Sequence, residues 1–432
     1  MSTTANPTAA QQNPVIDPEL PALLSMGDVL RVPMMRRLWY AQIISVFGDF
    51  LALFAVINVL TFKLHATAQQ VTGVQISYML PIAVLGILAG VFVDRWPLKP
   101  TMVSSDSIRA GLCLLLIFAT QIWHFYAILA AISVISSFFG PAQGVAIRSA
   151  VPLHGLRSAN ALMQQVMFGM RIVGPAIAGL MVSYLGSISC YAVDSASFVG
   201  SALLIASVTF LASGPTAAAP TPNADASAIG KVWLDMKQGI DFIVHHAALL
   251  FVILAMAAGM FVIGCFGPLI AIYVRDSLHA STKSFAIASA MIGLGMLVGI
   301  NGLNTLGKNI KDTVLVYSGL CGIAVGLVIL TLLPHLWSTI LGNLIIGFSV
   351  AGIVVPSQTL FQKETPPELM GRVGSTFMSI IFTAQILGLV LSGLLTQYIG
   401  VRQVFALCAA MLVVLMAVGK IWMEPKPATQ PA

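Results

Sequence analysis

Charge is what this sequence has least of. Only 8% of its 432 residues are Asp, Glu, Lys or Arg, against about a quarter in soluble domains, while 58% are hydrophobic. A chain so poor in charge cannot show its whole surface to water, so a membrane fold is implied. Its five cysteines, Cys113, Cys190, Cys265, Cys321 and Cys408, have no C-x-x-C spacing, which points away from a disulfide framework and from zinc or any other metal. No H-E-x-x-H, Ser-His-Asp or G-x-x-x-x-G-K-[ST] pattern occurs. An enzyme and a bound cofactor are therefore not expected, and ATP cannot drive a pump built from this chain alone. The formal charge of +6 comes without basic runs interleaved with aromatics, so nucleic acid is not a partner. No filter-like repeat is present, which disfavours a passive channel.

What fills the chain instead is long apolar runs. A window of about twenty residues finds twelve candidate spans, at 37–62, 71–93, 101–120, 125–147, 159–184, 188–212, 247–272, 284–306, 313–333, 337–359, 373–398 and 401–423. Residues 1–30 are rich in Ala, Thr, Pro and Gln and read as a disordered cytoplasmic tail. They lack the basic start and short apolar core of a cleaved signal peptide. Residues 31–212 then form a first six-helix bundle and 247–423 a second. Between them, 213–246 reads as a linker followed by an interfacial helix carrying Trp233, Ile240 and Phe242, and 424–432 as a cytoplasmic tail. With the first residue inside, sixteen Lys and Arg fall on the cytoplasmic side and four, Lys63, Arg275, Lys283 and Arg402, outside. That bias predicts a multi-pass protein of the plasma membrane, a bacterial inner membrane, with both termini cytoplasmic.

An internal repeat supports the count. Pro141, Gln143, Arg148, Pro152 and Arg157 recur as Pro356, Gln358, Lys363, Pro367 and Arg372, each displaced by 215 positions. The fourth span and its loop are thus duplicated as the tenth, which two parallel six-span halves require.

Between the second and third spans lies a charged hinge, Gly90-Val-Phe-Val-Asp94-Arg95-Trp-Pro-Leu-Lys99. Read as G-x-x-x-D-R-x-x-x-K, it resembles the corresponding loop of major facilitator transporters, with Pro97 and Leu98 where that family has Gly and Arg. The fifth span carries Gly169, Gly174, Pro175 and Gly179, which kink a helix and let a neighbour approach closely. It resembles the Gly-Pro motif of proton-coupled exporters in the same family. Gly48-Asp49, Asp106-Ser-Ile-Arg109-Ala110, Ser158-Ala-Asn-Ala-Leu162 and Thr365-Pro-Pro-Glu-Leu-Met-Gly-Arg372-Val373 resemble the drug and macrolide efflux branch that includes the enterobactin exporter. The resemblance covers nearly the whole chain after residue 30. It implies an all-α membrane fold of two pseudo-symmetric six-helix bundles, working as a monomer.

Chemistry must come from ionisable groups inside the bilayer, each of which costs a few kcal/mol there unless partnered or wetted. Asp49 and Arg171 each fall about twelve residues from the cytoplasmic face, roughly 18 Å deep. The expected proton-coupling pair is therefore Asp49 with Arg171, read either as a titrating switch or as a fixed structural ion pair. Asp194 is expected to be satisfied by hydroxyls such as those of Ser195 and Ser197. A cytoplasmic gate is expected from Gly90, Asp94, Arg95, Lys99, Asp106, Arg109, Arg148 and Arg372, with Asp94 pairing with Arg148 or capping the eleventh span near Gly374 and Ser375. The spans that line the cavity in this fold give candidate cargo contacts at Phe54, Asn58, Gln75, Tyr78, Phe138, Gln143, Gln164, Gln165, Phe168, Met260, Phe266, Asn343, Gln358 and Gln385. Apolar groups with scattered amides suit a bulky amphipathic cargo better than a sugar or a small anion. The expectation is proton-driven efflux of a drug-, macrolide- or siderophore-like molecule; a lysophospholipid flippase of the same fold is the alternative.

Overall fold

An unbroken apolar run in lipid can satisfy its own backbone N–H and C=O groups only by coiling into a helix. The computed structural model describes residues 24–93, 96–208, 237, 240–305, 310–365 and 369–422, and twelve long helices dominate them. They are α1 (Pro33–Asn58), extended by a π turn (Val59–Lys63), α2 (Ala68–Val93), α3 (Leu98–Leu115), α4 (Ile122–Ala150), α5 (Leu156–Leu185) and α6 (Ser187–Ala206) in the first half. The second half holds α7 (Ala247–Asp276), α8 (Thr282–Thr305), α9 (Asp312–Leu332), α10 (Leu336–Glu364), α11 (Met370–Ile399) and α12 (Val401–Trp422). Ten of these are long and apolar enough over their described residues to cross a bilayer. The remaining two, α2 and α5, have 26 and 30 residues, ample length for a crossing.

The expected disordered tail needs a correction. Met26–Arg31 is a short helix, opened by a capping box in which Ser25 Oγ accepts from the Asp28 N–H at 3.2 Å and the Asp28 carboxylate accepts from the Ser25 N–H at 3.3 Å. Val29 is fully buried, and Ser158 Oγ on α5 donates to the Leu24 carbonyl at 2.7 Å. Residues 1–23, 209–236 and 423–432, and with them most of the linker and the second tail, lie outside the described residues.

The two halves repeat at the end of the bundle far from the termini, here with an offset of 214. His65 and His279 both adopt the left-handed region, at φ 48° and 49°, and Gly186 and Gly400 do so at 81° and 80°. Each His closes the same corner: the Ala66 N–H donates to the Leu60 carbonyl at 2.8 Å and the Ala280 N–H to the Val274 carbonyl at 3.0 Å. Exposed Trp123 and Trp337, and exposed Tyr184 and Tyr398, stand at the same offset. These four large aromatics ring the far end where an interfacial belt belongs.

Within the first half α1 packs on α6 and α5, and within the second α7 packs on α11; between halves, α5 meets α8 and α2 meets α11. At the far end the halves share one continuous apolar core, whereas Val29, Met35, Leu38, Met102, Phe139 and Leu162 form a separate core of the first half at the terminus-bearing end. Small residues make the far-end junction possible. A Cβ on Gly179 would strike Ala286 of α8, and one on Gly393 would strike Thr72 of α2. The molecule is therefore closed at the far end.

Candidate functional site

The polar residues that lipid cannot tolerate are gathered inside the first half, between α3 and α6. On α3, Asp106, Arg109 and Cys113 sit at i, i+3 and i+7, one helical face; on α6, Asp194, Ser197 and Ser201 repeat that spacing. The two helices run antiparallel, so the acid of one faces the small donor of the other. Asp106 accepts from Ser201 Oγ at 2.6 Å, and Asp194 accepts from Cys113 Sγ at 2.9 Å. Ser197 Oγ also donates to Asp194, at 3.4 Å. Between the rungs Arg109 forms an ion pair with Asp106, and its guanidinium carbon lies 4.5 Å from the Phe139 ring centroid and 4.3 Å from that of Phe198. Among the described residues Arg109 Nε finds no hydrogen-bond partner.

Helix α1 joins this ladder through Gly48. A Cβ there would lie 3.0 Å from the Asp194 Cα and closer still to the Asp194 carboxylate and Ser197 Oγ, so only glycine lets α1 lie against α6. The next residue, Asp49, is half-buried and accepts from the Tyr78 hydroxyl of α2 at 3.5 Å. Its carboxylate interacts electrostatically with Arg109, Asp106 and Asp194. Three carboxyl groups thus surround one guanidinium.

This arrangement revises several expectations. Asp106 and Arg109, expected at the cytoplasmic gate, are 0% and 4% exposed inside the first half, where the polar face of α3 turns toward α6. The charged neighbour found for Asp49 is Arg109 on α3. Arg171's side chain lies outside the described residues, as do those of Gly90, Asp94, Arg95, Phe168, Arg372 and Ser375, so the Asp94 latch and the Asp49–Arg171 pair fall beyond what is described. Lys99 lies in the first turn of α3, and Arg148 is exposed in the last turn of α4. A Cβ on Gly174 would lie 2.9 Å from the Phe50 Cβ of α1 and one on Gly179 would strike α8, on opposite sides of Pro175, while Gly169 has open space beside it.

The candidate cargo contacts divide by burial. Phe54 stacks on Phe285 at 4.7 Å and Asn58 donates to Thr282 Oγ1 at 3.1 Å, so both help to close the far end. Phe266 packs on Phe405, Met260 is buried beside Ile323 and Val350, and Asn343 donates to the Ala288 carbonyl at 2.7 Å. All three lie against neighbours within the second half, on faces of α7 and α10 that turn into their own bundle. Phe138 stacks on Trp96. Gln75, Gln358 and Gln385 are half-buried, and Gln164 and Gln165 are exposed on α5, where Gln165 reaches Met26 Sδ at 3.5 Å. Gln143 donates to Gln42 Oε1 at 2.6 Å, and Gln42 in turn contacts Met167 Sδ, an amide chain across α4, α1 and α5. Gln42, Cys113 and Ser201 escaped the sequence reading; the matched 3-and-7 spacing on α3 and α6 was the available signal for the last two.

Comparison with known proteins gives the same architecture. The sequence profile of the Major Facilitator Superfamily matches residues 38–388. Macrolide efflux protein A of Streptococcus pyogenes is 26% identical over 388 residues, covering 88% of this chain and 94% of that protein. The multidrug efflux pump Tap of Mycolicibacterium fortuitum is 25% identical over 358 residues, covering 79% and 84%. The crystal structure of the nucleoside transporter NupG superposes with a TM-score of 0.64 at 14% identity, over 91% of this chain and 100% of that one. With twelve helices, two repeated halves and a profile match across most of its length, this multi-pass membrane chain belongs to the Major Facilitator Superfamily of transporters.

Proposed function

We propose that this protein exports a bulky amphipathic small molecule, of the drug, macrolide or siderophore kind, in exchange for protons. The observation that carries the reading is the set of Asp49, Asp106 and Asp194 around Arg109, the one cation found with them among the described residues. One carboxylate is neutralised by the guanidinium; the others, enclosed by helices and lipid, call for protons as their counter-ions. Asp49 is the least buried of the three, so in this reading it is the group that takes up and releases the coupling proton, and Arg109 sets its affinity. The exposed and half-buried amides Gln164, Gln143 and Gln42 offer hydrogen bonds to the cargo amid apolar surface. The distribution of basic residues supports placing both termini in the cytoplasm, which makes the far end the outside. The conformation closed there is the one that loads cargo from within, and the efflux names of the relatives support that direction.

The test is transport in proteoliposomes whose cytoplasmic protein face points outward, with an acidic lumen, screening dyes, macrolides, siderophores and lysolipids. Accumulation of a cargo that collapses with a protonophore, and that Asp49→Asn abolishes without loss of folded yield, is the expected result. Gradient-independent movement of lysolipid would instead favour a flippase, and an Asp49→Asn protein with undiminished gradient-driven accumulation refutes the coupling role.

A further inference from the structure

The two far-end corners share one geometry, but the residues just before them differ, and one of those differences carries a charge across the closure. At the 214 offset the corner after α1 and the corner after α7 are copies, Leu64-His65-Ala66 and Leu278-His279-Ala280. Position 275 on α7 corresponds to Thr61 on α1. The first half has a threonine there; the second has Arg275.

We propose that Arg275 is the latch of the far end and that it acts by capping the C-terminus of α1 from the opposite half. The last carbonyls of a helix lack N–H partners and carry partial negative charge. In α1 the terminal turn is a π turn, Val59–Lys63, followed by the left-handed His65. Arg275 Nη1 donates to the Thr61 carbonyl at 3.0 Å and to the Ala66 carbonyl at 2.7 Å. The other edge of its guanidinium is held by its neighbour Asp276, Nε to Oδ1 at 2.5 Å and Nη2 to Oδ2 at 2.9 Å. A planar fork fixed on one edge by a carboxylate holds both Nη1 hydrogens toward the two carbonyls, an orientation that the freely rotating ammonium of a lysine does not fix. Of the surrounding cross-half contacts, Asn58 with Thr282 and Gln69 with Gln397 are neutral hydrogen bonds that water can replace, and Lys283 over the exposed Tyr184 ring, 5.8 Å from its centroid, is open to water. Arg275 is mostly buried, at 18% exposure, so its bonds are the ones whose loss most favours separation of α1 from α7. This assignment concerns how the transporter alternates between its two open states and does not depend on which ion or cargo is coupled.

Two introduced thiols read the two ends. A Gln69→Cys and Gln397→Cys pair, bridged by a short bifunctional thiol reagent, reports far-end closure. A single Gln164→Cys reports access from the terminus-bearing end, because its position on α5 lies between the directions of Gly179, which meets α8, and Gly174, which meets α1. Arg275→Gln is expected to slow far-end cross-linking and also Gln164→Cys labelling by roughly tenfold each, the fold-change of about one charge-assisted hydrogen bond. Arg275→Lys, with a point charge in place of the fork, should fall between. A generally loosened fold would raise Gln164→Cys labelling, so the paired decrease separates a latch from a merely structural residue. Unchanged cross-linking in Arg275→Gln overturns the assignment, and so does a rise in labelling at position 164. If Arg275→Gln does not reach the membrane folded, Arg275→Lys decides alone, and wild-type rates there overturn it.

Discussion

Replacing Arg109 with Met is the sharpest probe of the ladder between α3 and α6. The substitution keeps most of the side-chain volume, so little of its cost comes from a cavity. It leaves Asp106, at 0% exposure, with the Ser201 hydroxyl at 2.6 Å as its remaining hydrogen bond and no cation. Breaking a buried pair in this way costs about 3–5 kcal/mol, and losing the guanidinium from between the Phe139 and Phe198 rings adds roughly 1 kcal/mol. The double variant Asp106→Asn with Arg109→Met carries neither charge, and the amide oxygen introduced at position 106 still accepts from Ser201. Its cost should fall to about 2 kcal/mol or less. The second substitution should therefore rescue the first, a sign reversal that independent packing defects cannot produce. Equilibrium unfolding of purified protein in mixed micelles, titrated with a denaturing detergent and followed by circular dichroism, measures all four corners of the cycle. A double variant as unstable as Arg109→Met, or more so, refutes the claim that the pair is held by mutual neutralisation. Because Asp49 also interacts with Arg109, both variants should lose gradient-driven transport even where stability returns.

Gly179→Leu should prevent the far end from closing, since even a Cβ there comes 2.9 Å from the Ala286 Cα; cross-linking between positions 69 and 397 would fall, and wild-type cross-linking would refute it. Asn343→Leu should cost only about 1 kcal/mol, because the lost bond to the Ala288 carbonyl is offset by removal of an unpaired Oδ1. Cargo selectivity should not change, and a changed selectivity profile in a fully folded variant would return Asn343 to the cavity wall. At the N-terminus, hydrogen bonds from the Ser25 side chain and then from its backbone hold the Asp28 carboxyl below its ordinary value of 3.8. A depressed folded-state value means the cap's contribution is present above the unfolded value and is lost as pH falls through the folded one. Amide-exchange protection of Val29 should therefore be flat from neutral pH down to about 4 and fall only in stronger acid.

Much of the architecture could be read from apolar run length alone, because a bilayer leaves a long apolar run one solution. The repeat was visible too, but only in part. The offset of 215 seen at Pro141 and Pro356 becomes 214 at His65 and His279, at Trp123 and Trp337, and at Gly186 and Gly400. A search for one ungapped register misses that change. The site was less legible. Depth along a span predicted that Asp49 would lie near the middle of the bilayer, yet depth says nothing about rotation, and rotation decides which neighbour a side chain meets. Asp106 and Arg109 read as gate residues because they lie toward the cytoplasmic end of their span. Their spacing from Cys113, matched by Asp194, Ser197 and Ser201, was the feature that placed them against α6 instead. For Phe266 and Asn343 no such pattern exists: a lone aromatic or amide reads the same whether it faces a cavity or its own bundle.

The two halves share a fold but not a way of holding it, and the difference bears on which half responds to protons. In the second half the helices touch through backbone. A Cβ on Gly319 would lie 2.8 Å from the Ser349 carbonyl, one on Gly326 2.9 Å from the Gly342 carbonyl, and one on Gly299 2.7 Å from the Phe348 carbonyl. Such approaches lock α8, α9 and α10 together through many weak short-range contacts that no change of charge can alter. In the first half α3 and α6 meet through carboxylates, a thiol, hydroxyls and one guanidinium. Each of those contacts changes strength when a proton arrives or leaves. Placing the titratable set in one half while the other stays rigid gives a rocking transporter a fixed frame and a responsive one. On the proposed exchange for protons, the first half is where protonation would be converted into motion, through α1, which touches the ladder at Gly48 and reaches the opposite half at Asn58 and Thr61.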